Sequence, residues 1–371
     1  MPLRNSDSPQ CDVHPTVVPS VALWTPQGRG AVATIKVRAD LNARSTLPDS
    51  GESGYKDSIP FRAANGKSLL AQSWGRIVFG FWGTDPSEEV VVCRLSDHEF
   101  EIHCHGGLAA ARRIMGDLAA LQLSPVDWDV QSRQSAGHLT TDCQAALTRA
   151  TTLQTASILL DQEAAWRDFA GRLVSAAMTG EWGELSAPIK RALSWQDLGK
   201  HLLEPFRVVL TGRPNVGKSA LLNALVGYQR SVVFDQPGTT RDVVTVETAF
   251  EGWPVRLIDT AGLRENALGL EAAGIELAYA QLADADLVLR VIDATQPLEL
   301  SLATPSQSEE KTILVVNKID LLPDNSQLAG LQSGAISLSA RTGFGIDLLI
   351  ADIAAKLVPV WPAGGTLIPF L

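Results

Sequence analysis

Apolar residues recur along the chain in three rhythms. The first extends to about residue 124 and holds short, strand-length runs: Val17 to Leu23, Ala31 to Val37, Gly75 to Phe81 and Glu89 to Leu95. Between them, the polar stretch from Asn42 to Lys67 reads as a long loop. Phe100 to His105 reads as a strand ended by Gly106-Gly107, and helical spacing begins at Leu108. From Pro125 to Leu203 the rhythm is helical. Ala145 to Met178 carries no proline and predicts long helices, which Pro188 interrupts. Beyond Phe206, apolar strands alternate with helical segments. The strands are Phe206 to Leu210, Val243 to Phe250, Val255 to Ile258, Leu287 to Ile292, Thr312 to Val316 and Ala335 to Leu338, and a helix over Gly345 to Val358 closes the set. Such alternation predicts an α/β fold, a mostly parallel sheet with helices on both faces. Ligands of such sheets sit at the carboxyl ends of the strands.

The length of 371 residues exceeds one compact core. The expected division is an N-terminal α+β domain over 1–124, a partial helical domain over 125–203, a nucleotide-binding domain over 204–358 and a short tail over 359–371. A hydrophobic share of 45% with 19% charged residues is that of a globular chain. No apolar run approaches about 18 residues, so no membrane span is expected. The first fifteen residues lack a signal-peptide pattern and read as a poorly ordered lead-in. Four cysteines without a CxxC pair fit a cytoplasmic protein with free thiols. The formal charge of −10 argues against nucleic acid as a tight, lone ligand, since phosphate-bound proteins are usually basic.

Gly212-Arg-Pro-Asn-Val-Gly217-Lys218-Ser219 follows an apolar strand and opens a helix, the context a P-loop requires. Backbone N–H groups from Asn215 and Val216 through Gly217 to Ala220 can curl around phosphate oxygens, helped by the helix N-terminus. Lys218 would reach the β- and γ-phosphates, and the Ser219 hydroxyl would bind Mg²⁺. Gly66-Lys67-Ser68 also reads GKS, but Phe61 stands where the first glycine is needed. Asp259-Thr-Ala-Gly262 ends the strand VRLID, 41 residues after Lys218. Asp259 can hold Mg²⁺ through water, and the Gly262 N–H can sense a γ-phosphate. Asn317-Lys318-Ile-Asp320 follows another strand. The Asp320 carboxylate can accept the N1–H and N2 amino donors of guanine, a pair adenine lacks, so the ligand expected is GTP or GDP. Ser339-Ala340 would back the base with a main-chain N–H. In Gly238-Thr239-Thr240-Arg241-Asp242, Thr240 is the residue favoured to complete the Mg²⁺ shell. Leu263 stands where Ras-like proteins keep a glutamine that orients water, so another group must do so. His103 and His105 share one face of a strand, but two ligands are too few for zinc, and packing is the simpler reading. Nine scattered tryptophans read as core and interface residues.

The motifs GRPNVGKSALLNAL, PGTTRD, DTAGLRE, NKID and LSARTG, in that order, resemble those of the tRNA-modification GTPase family (MnmE/TrmE). PQGRGAVATIKV and FEIHCHGG are similar to that family's folate-binding domain. The resemblance implies GTP hydrolysis assisted by a potassium ion instead of an arginine finger. Asn215 and carbonyls from Phe234 to Thr239 would hold the ion when two G domains meet. It also implies that Glu271 positions the attacking water, that the protein is a homodimer, and that it acts on the tRNA wobble uridine (U34) with a flavin-dependent partner. A tetrahydrofolate derivative is implied near Lys36 and Glu101. Glu101 matches the family's glutamate, whereas Lys36 replaces its arginine and offers a point charge instead of a fork. The chain reads as a shortened member without the family's C-terminal Cys-x-Gly-Lys motif. Two other functions stay open, a nucleotide-dependent interaction switch without modification chemistry and a ribosome-assembly GTPase.

Overall fold

The structure is a computed structural model in which residues 17–25, 30–39, 59–228, 244–259, 282–297, 309–323 and 334–370 are described. The chain divides into two compact units, Met1–Thr141 and Asp142–Leu371.

The first unit is built on a seven-stranded sheet with strand order β3-β4-β5-β6-β2-β1-β7. Its strands are β1 (Ser20–Leu23), β2 (Val32–Arg38), β3 (Phe61–Ala63), β4 (Ile77–Trp82), β5 (Glu88–Arg94), β6 (Glu99–His105) and β7 (Ser124–Pro125). Every pairing is antiparallel except β1 with β7. Alternation puts Ile35, Val37, Phe100 and Ile102 on one face, where they form a core with Ile114 and Leu118 of α1 (Leu108–Ala120). The indole of Trp82 donates to Asp117 of α1 at 3.0 Å. Strand β3 corrects the expected loop from Asn42 to Lys67, because Phe61–Ala63 pairs with β4. Residues 42–58 of that stretch lie outside the described residues.

Residues 125–141, grouped from the sequence with the helical region, belong to this first unit. One reason is Gln131 of α2 (Trp128–Ala136), which is fully buried. Its amide donates to the Ser20 and Lys36 carbonyls at 3.3 and 3.2 Å and accepts from the Trp24 indole at 2.8 Å.

The second unit begins within α3 (His138–Arg149), which gives way to α4 (Leu153–Thr179) at Thr152, where the Thr152 and Thr155 side chains form a reciprocal capping box. Gly180, in the left-handed region, ends α4. Pro188 does not interrupt the helices as expected. It is the third residue of α5 (Ser186–Leu193), in the first turn, where a missing N–H costs no helical bond. Helix α6 (Gln196–His201) leads to the second sheet.

That sheet has the order β13-β12-β11-β8-β10-β9. Strands β8 (Phe206–Thr211), β10 (Trp253–Asp259), β11 (Leu287–Asp293), β12 (Thr312–Asn317) and β13 (Ile336–Ser337) run parallel, and β9 (Val244–Phe250) is antiparallel to β10. The sequence expectation of a mostly parallel sheet therefore holds. Helix α7 (Lys218–Tyr228) follows β8, and α8 (Ile346–Leu357) follows β13. Beyond α8 the chain runs along α4. The Gln162 amide donates to the Thr366 carbonyl and accepts the Ile368 N–H, both at 2.9 Å. Trp361 meets the fully buried Trp253 edge to face at 5.5 Å. No helix among the described residues is long and apolar enough to cross a membrane.

Candidate functional site

The carboxyl ends of β8, β10, β11 and β12 bring the motif residues of the second unit together. β8 ends at Thr211, and the loop from Gly212 to Gly217 feeds α7, whose first residues are Lys218, Ser219 and Ala220. Gly217 has φ +97°, and a Cβ there would lie 2.4 Å from the Asn317 amide nitrogen, so only glycine fits. Asn215 adopts φ 65°. The Lys218 ammonium, on a buried side chain, donates to the Gly212 and Arg213 carbonyls at 3.1 and 3.0 Å.

Asp259 ends β10 and is 2% exposed. Its Oδ2 accepts the Ser219 hydroxyl at 2.8 Å. A hydroxyl beside a buried carboxylate is an all-oxygen donor pair, which fits a hard divalent cation carried with phosphates. The residues present thus suit Mg²⁺.

Asn317 ends β12, is 2% exposed and spans two loops. Its amide donates to the Val216 carbonyl at 3.0 Å, and its Oδ1 accepts the Ala340 N–H at 3.0 Å. Lys318 follows in the left-handed region, φ 69°. Its ammonium donates to the Asn215 carbonyl at 2.6 Å and to Asp293 at 2.7 Å. Asp320 accepts the hydroxyl of the fully buried Ser339 at 2.5 Å and the Arg341 Nε–H at 2.9 Å. The Ser339 hydroxyl and then the Arg341 guanidinium hold its carboxyl below the ordinary range. A carboxylate kept ionised there can accept two donors from a base edge.

The structure therefore assembles Asn215, Val216, Gly217, Lys218, Ser219, Ala220, Asp259, Asn317, Lys318, Asp320, Ser339 and Ala340 at one end of one sheet. Thr239, Thr240, Gly262 and Glu271 lie outside the described residues. Asp293 and Arg341 were not singled out from the sequence. Asp293 ends the apolar strand LVLRVID as Asp259 ends VRLID, and that likeness was the available signal.

Lys36 and Glu101 belong to the first unit, where they are directly opposed partners of β2 and β6. The Lys36 ammonium sits 3.7 Å from Glu99 and 4.7 Å over the Trp24 ring. Glu101 faces the His103 Nε2 at 3.6 Å. The other ring nitrogen of His103 meets the Thr34 hydroxyl at 3.1 Å, and His105 meets Glu88 at 2.6 Å. Each histidine is thus engaged by its own neighbours.

A family model described as "50S ribosome-binding GTPase" matches residues 207–318. A protein named tRNA modification GTPase MnmE from Paramagnetospirillum magneticum is 31% identical over 285 residues, covering 68% of this chain and 65% of that protein. The protein of the same name from Chloroflexus aurantiacus is 32% identical over 385 residues, covering 93% of this chain and 82% of that protein. The chain thus spans 65% of the first relative's length and more of the second's. Among solved structures, the FeoB G domain from Methanococcus jannaschii is 25% identical and covers 42% of this chain and 98% of that one, with a TM-score of 0.31. With its P-loop, Asp259 and NKID residues gathered at one end of a mostly parallel sheet, and with 82% of the Chloroflexus relative spanned, the chain belongs to the MnmE family of tRNA modification GTPases and carries its GTP-binding, GTP-hydrolysing domain.

Proposed function

We propose that this chain is a magnesium- and potassium-dependent GTPase whose cycle serves modification of the tRNA wobble uridine in the cytoplasm. The observation that carries the reading is the Asn317 bridge. One buried amide joins the loop suited to phosphates, at Val216, to the loop suited to the base, at Ala340. Phosphoryl transfer needs positioning and charge compensation more than covalent help from the protein. Backbone N–H groups from Asn215 to Ala220 and the Lys218 ammonium bind the phosphates. Ser219 and Asp259, with Thr240, would hold Mg²⁺, which would supply compensating positive charge to the phosphates. Asp320 reads guanine, and Ala340 supports the base. The Gly262 N–H senses the γ-phosphate, and Glu271 orients the attacking water. Asn215 contributes to a potassium site completed when two G domains pair in a homodimer.

In this reading the unit over 1–141, which adds 125–141 to the expected 1–124, is the folate and dimerisation domain, 142–203 the helical region, 204–358 the GTPase and 359–371 a tail. A flavin-dependent partner and tRNA complete the assembly, and Lys36 and Glu101 are the residues that would face a tetrahydrofolate derivative. One observation favours a second reading, a nucleotide-dependent switch without one-carbon chemistry. The Lys36 ammonium is already engaged by Glu99 and Trp24.

The test is GTP hydrolysis by the full chain in KCl against NaCl, with Glu271→Ala as control. Potassium is expected to stimulate turnover, and the variant to bind GTP while losing about a hundredfold or more of its rate. Equal, slow turnover in both salts sinks the potassium mechanism. Loss of the modified uridine on deleting the gene is expected only from the first reading, not from the switch.

A further inference from the structure

We propose that Asp293 is a positioning residue for guanine-nucleotide binding, acting through Lys318 to hold the base-reading loop in register with the phosphate loop. The proposal rests on the GTP-binding reading of this site. Asp293 is the last residue of β11, directly opposite Asn317 of β12, and is 5% exposed. Its two oxygens have separate tasks. Oδ1 accepts the Thr295 backbone N–H at 2.9 Å and the Thr295 hydroxyl at 2.7 Å, closing the turn after the strand. Oδ2 accepts the Lys318 ammonium at 2.7 Å.

The same ammonium lies 2.6 Å from the Asn215 carbonyl, so a line of contacts runs from β11 through Lys318 to the phosphate loop. Lys318 needs such anchoring. Its backbone is left-handed, a conformation that a residue with a Cβ keeps only when its surroundings impose it. It also stands between Asn317 and Asp320, so its placement sets theirs. A carboxylate that served only the turn would be satisfied by Thr295. The second oxygen is the one committed to the site. Remove the charge, and the lysine retains one neutral acceptor and regains its rotamer freedom.

The experiment is a double-mutant cycle on the full chain with Asp293→Ala, Lys318→Met and the pair. It reads affinity for fluorescent N-methylanthraniloyl-GDP together with KM and kcat for GTP. Asp293→Ala is expected to weaken GDP binding about tenfold and raise KM in proportion, with kcat at saturation within about twofold. In the Lys318→Met background the same change is expected to move affinity by less than about twofold. Losses that add in full show Asp293 acting independently of Lys318 and overturn the proposal, as does parental affinity in Asp293→Ala. If Asp293→Ala does not fold, Asp293→Asn replaces it, since its remaining carbonyl oxygen still serves Thr295 while an NH2 that cannot accept faces Lys318. That variant is expected to bind GDP about threefold more weakly, and only when Lys318 is present; parental affinity overturns the proposal. A parent protein that binds no guanine nucleotide instead removes the GTP reading beneath it.

Discussion

Asp286 and Asp293 flank one strand, Asp286 just before β11 and Asp293 at its last residue. Burial alone would raise both carboxyls. Hydrogen bonds outweigh it, from His201 and the Arg207 N–H at Asp286 and from Lys318 and Thr295 at Asp293, and both stay below the ordinary 3.8. A carboxyl whose pKa is lower folded than unfolded stabilises the fold above pH 3.8, and that stabilisation is lost as pH falls through the folded value. Asp286→Asn is therefore expected to cost about 1.5–3 kcal/mol in urea unfolding at pH 7. The gap to the parent should close as the pH is taken below 3.8, and an unchanged gap at low pH would assign the loss to packing. Most of the site is legible at this scale. Lys218, Ser219, Asp259, Asn317 and Asp320 stand in fixed patterns, because phosphate and guanine demand particular groups at particular steps along the chain. Arg341 lies inside the quoted motif LSARTG, but its role shows only in its contact with Asp320, and Asp293 was missed because its one signal, a strand-end placement like that of Asp259, belongs to none of the fixed motifs.

At the scale of elements, apolar periodicity located the long strands and helices, and the misses are short or depend on caps. Strand β3 is three residues, too short for alternation to register, and exists because β4 offers it a partner. The break between α3 and α4 lies within the apolar run from Ala145 to Met178, where helical spacing continues across it. Thr152 sets it, because its hydroxyl accepts the Thr155 N–H at 3.2 Å while the Thr155 hydroxyl accepts the Thr152 N–H at 3.3 Å. Thr152→Ala is expected to lower stability by about 1 kcal/mol, and Thr152→Ser to restore most of it. Chemical denaturation of the three proteins side by side decides this, and equal stability of Thr152→Ala and the parent would deny the cap its role. Pro188 shows the converse error, since a proline marks a helix break only when it falls beyond the first turn.

Across the second unit, the extended segment after α8 is held by backbone hydrogen bonds to side chains of α4 that lie about two hundred positions earlier, Gln162 with Thr366 and Ile368 among them. Gln162→Leu would leave the half-buried Thr366 carbonyl and the buried Ile368 N–H without their partner. It is expected to cost about 1–3 kcal/mol, with faster proteolysis after Val358 than in the parent. An unchanged cleavage rate would mean that the segment is held by its apolar residues alone. No sequence pattern announces this contact, because residues 359–371 read only as a short tail until α4 is placed beside them. Its consequence is mechanical. Among the described residues the nucleotide-binding sheet meets the helices at several separate points, at Phe206 stacked on His201 of α6, at Asp286 beside the same histidine and at Gly252 against Gln154 of α4. A body fastened at several separated points keeps no axis to swivel about. The Gln162 contact is thus one tie among several, and loosening it frees the tail before it frees the sheet.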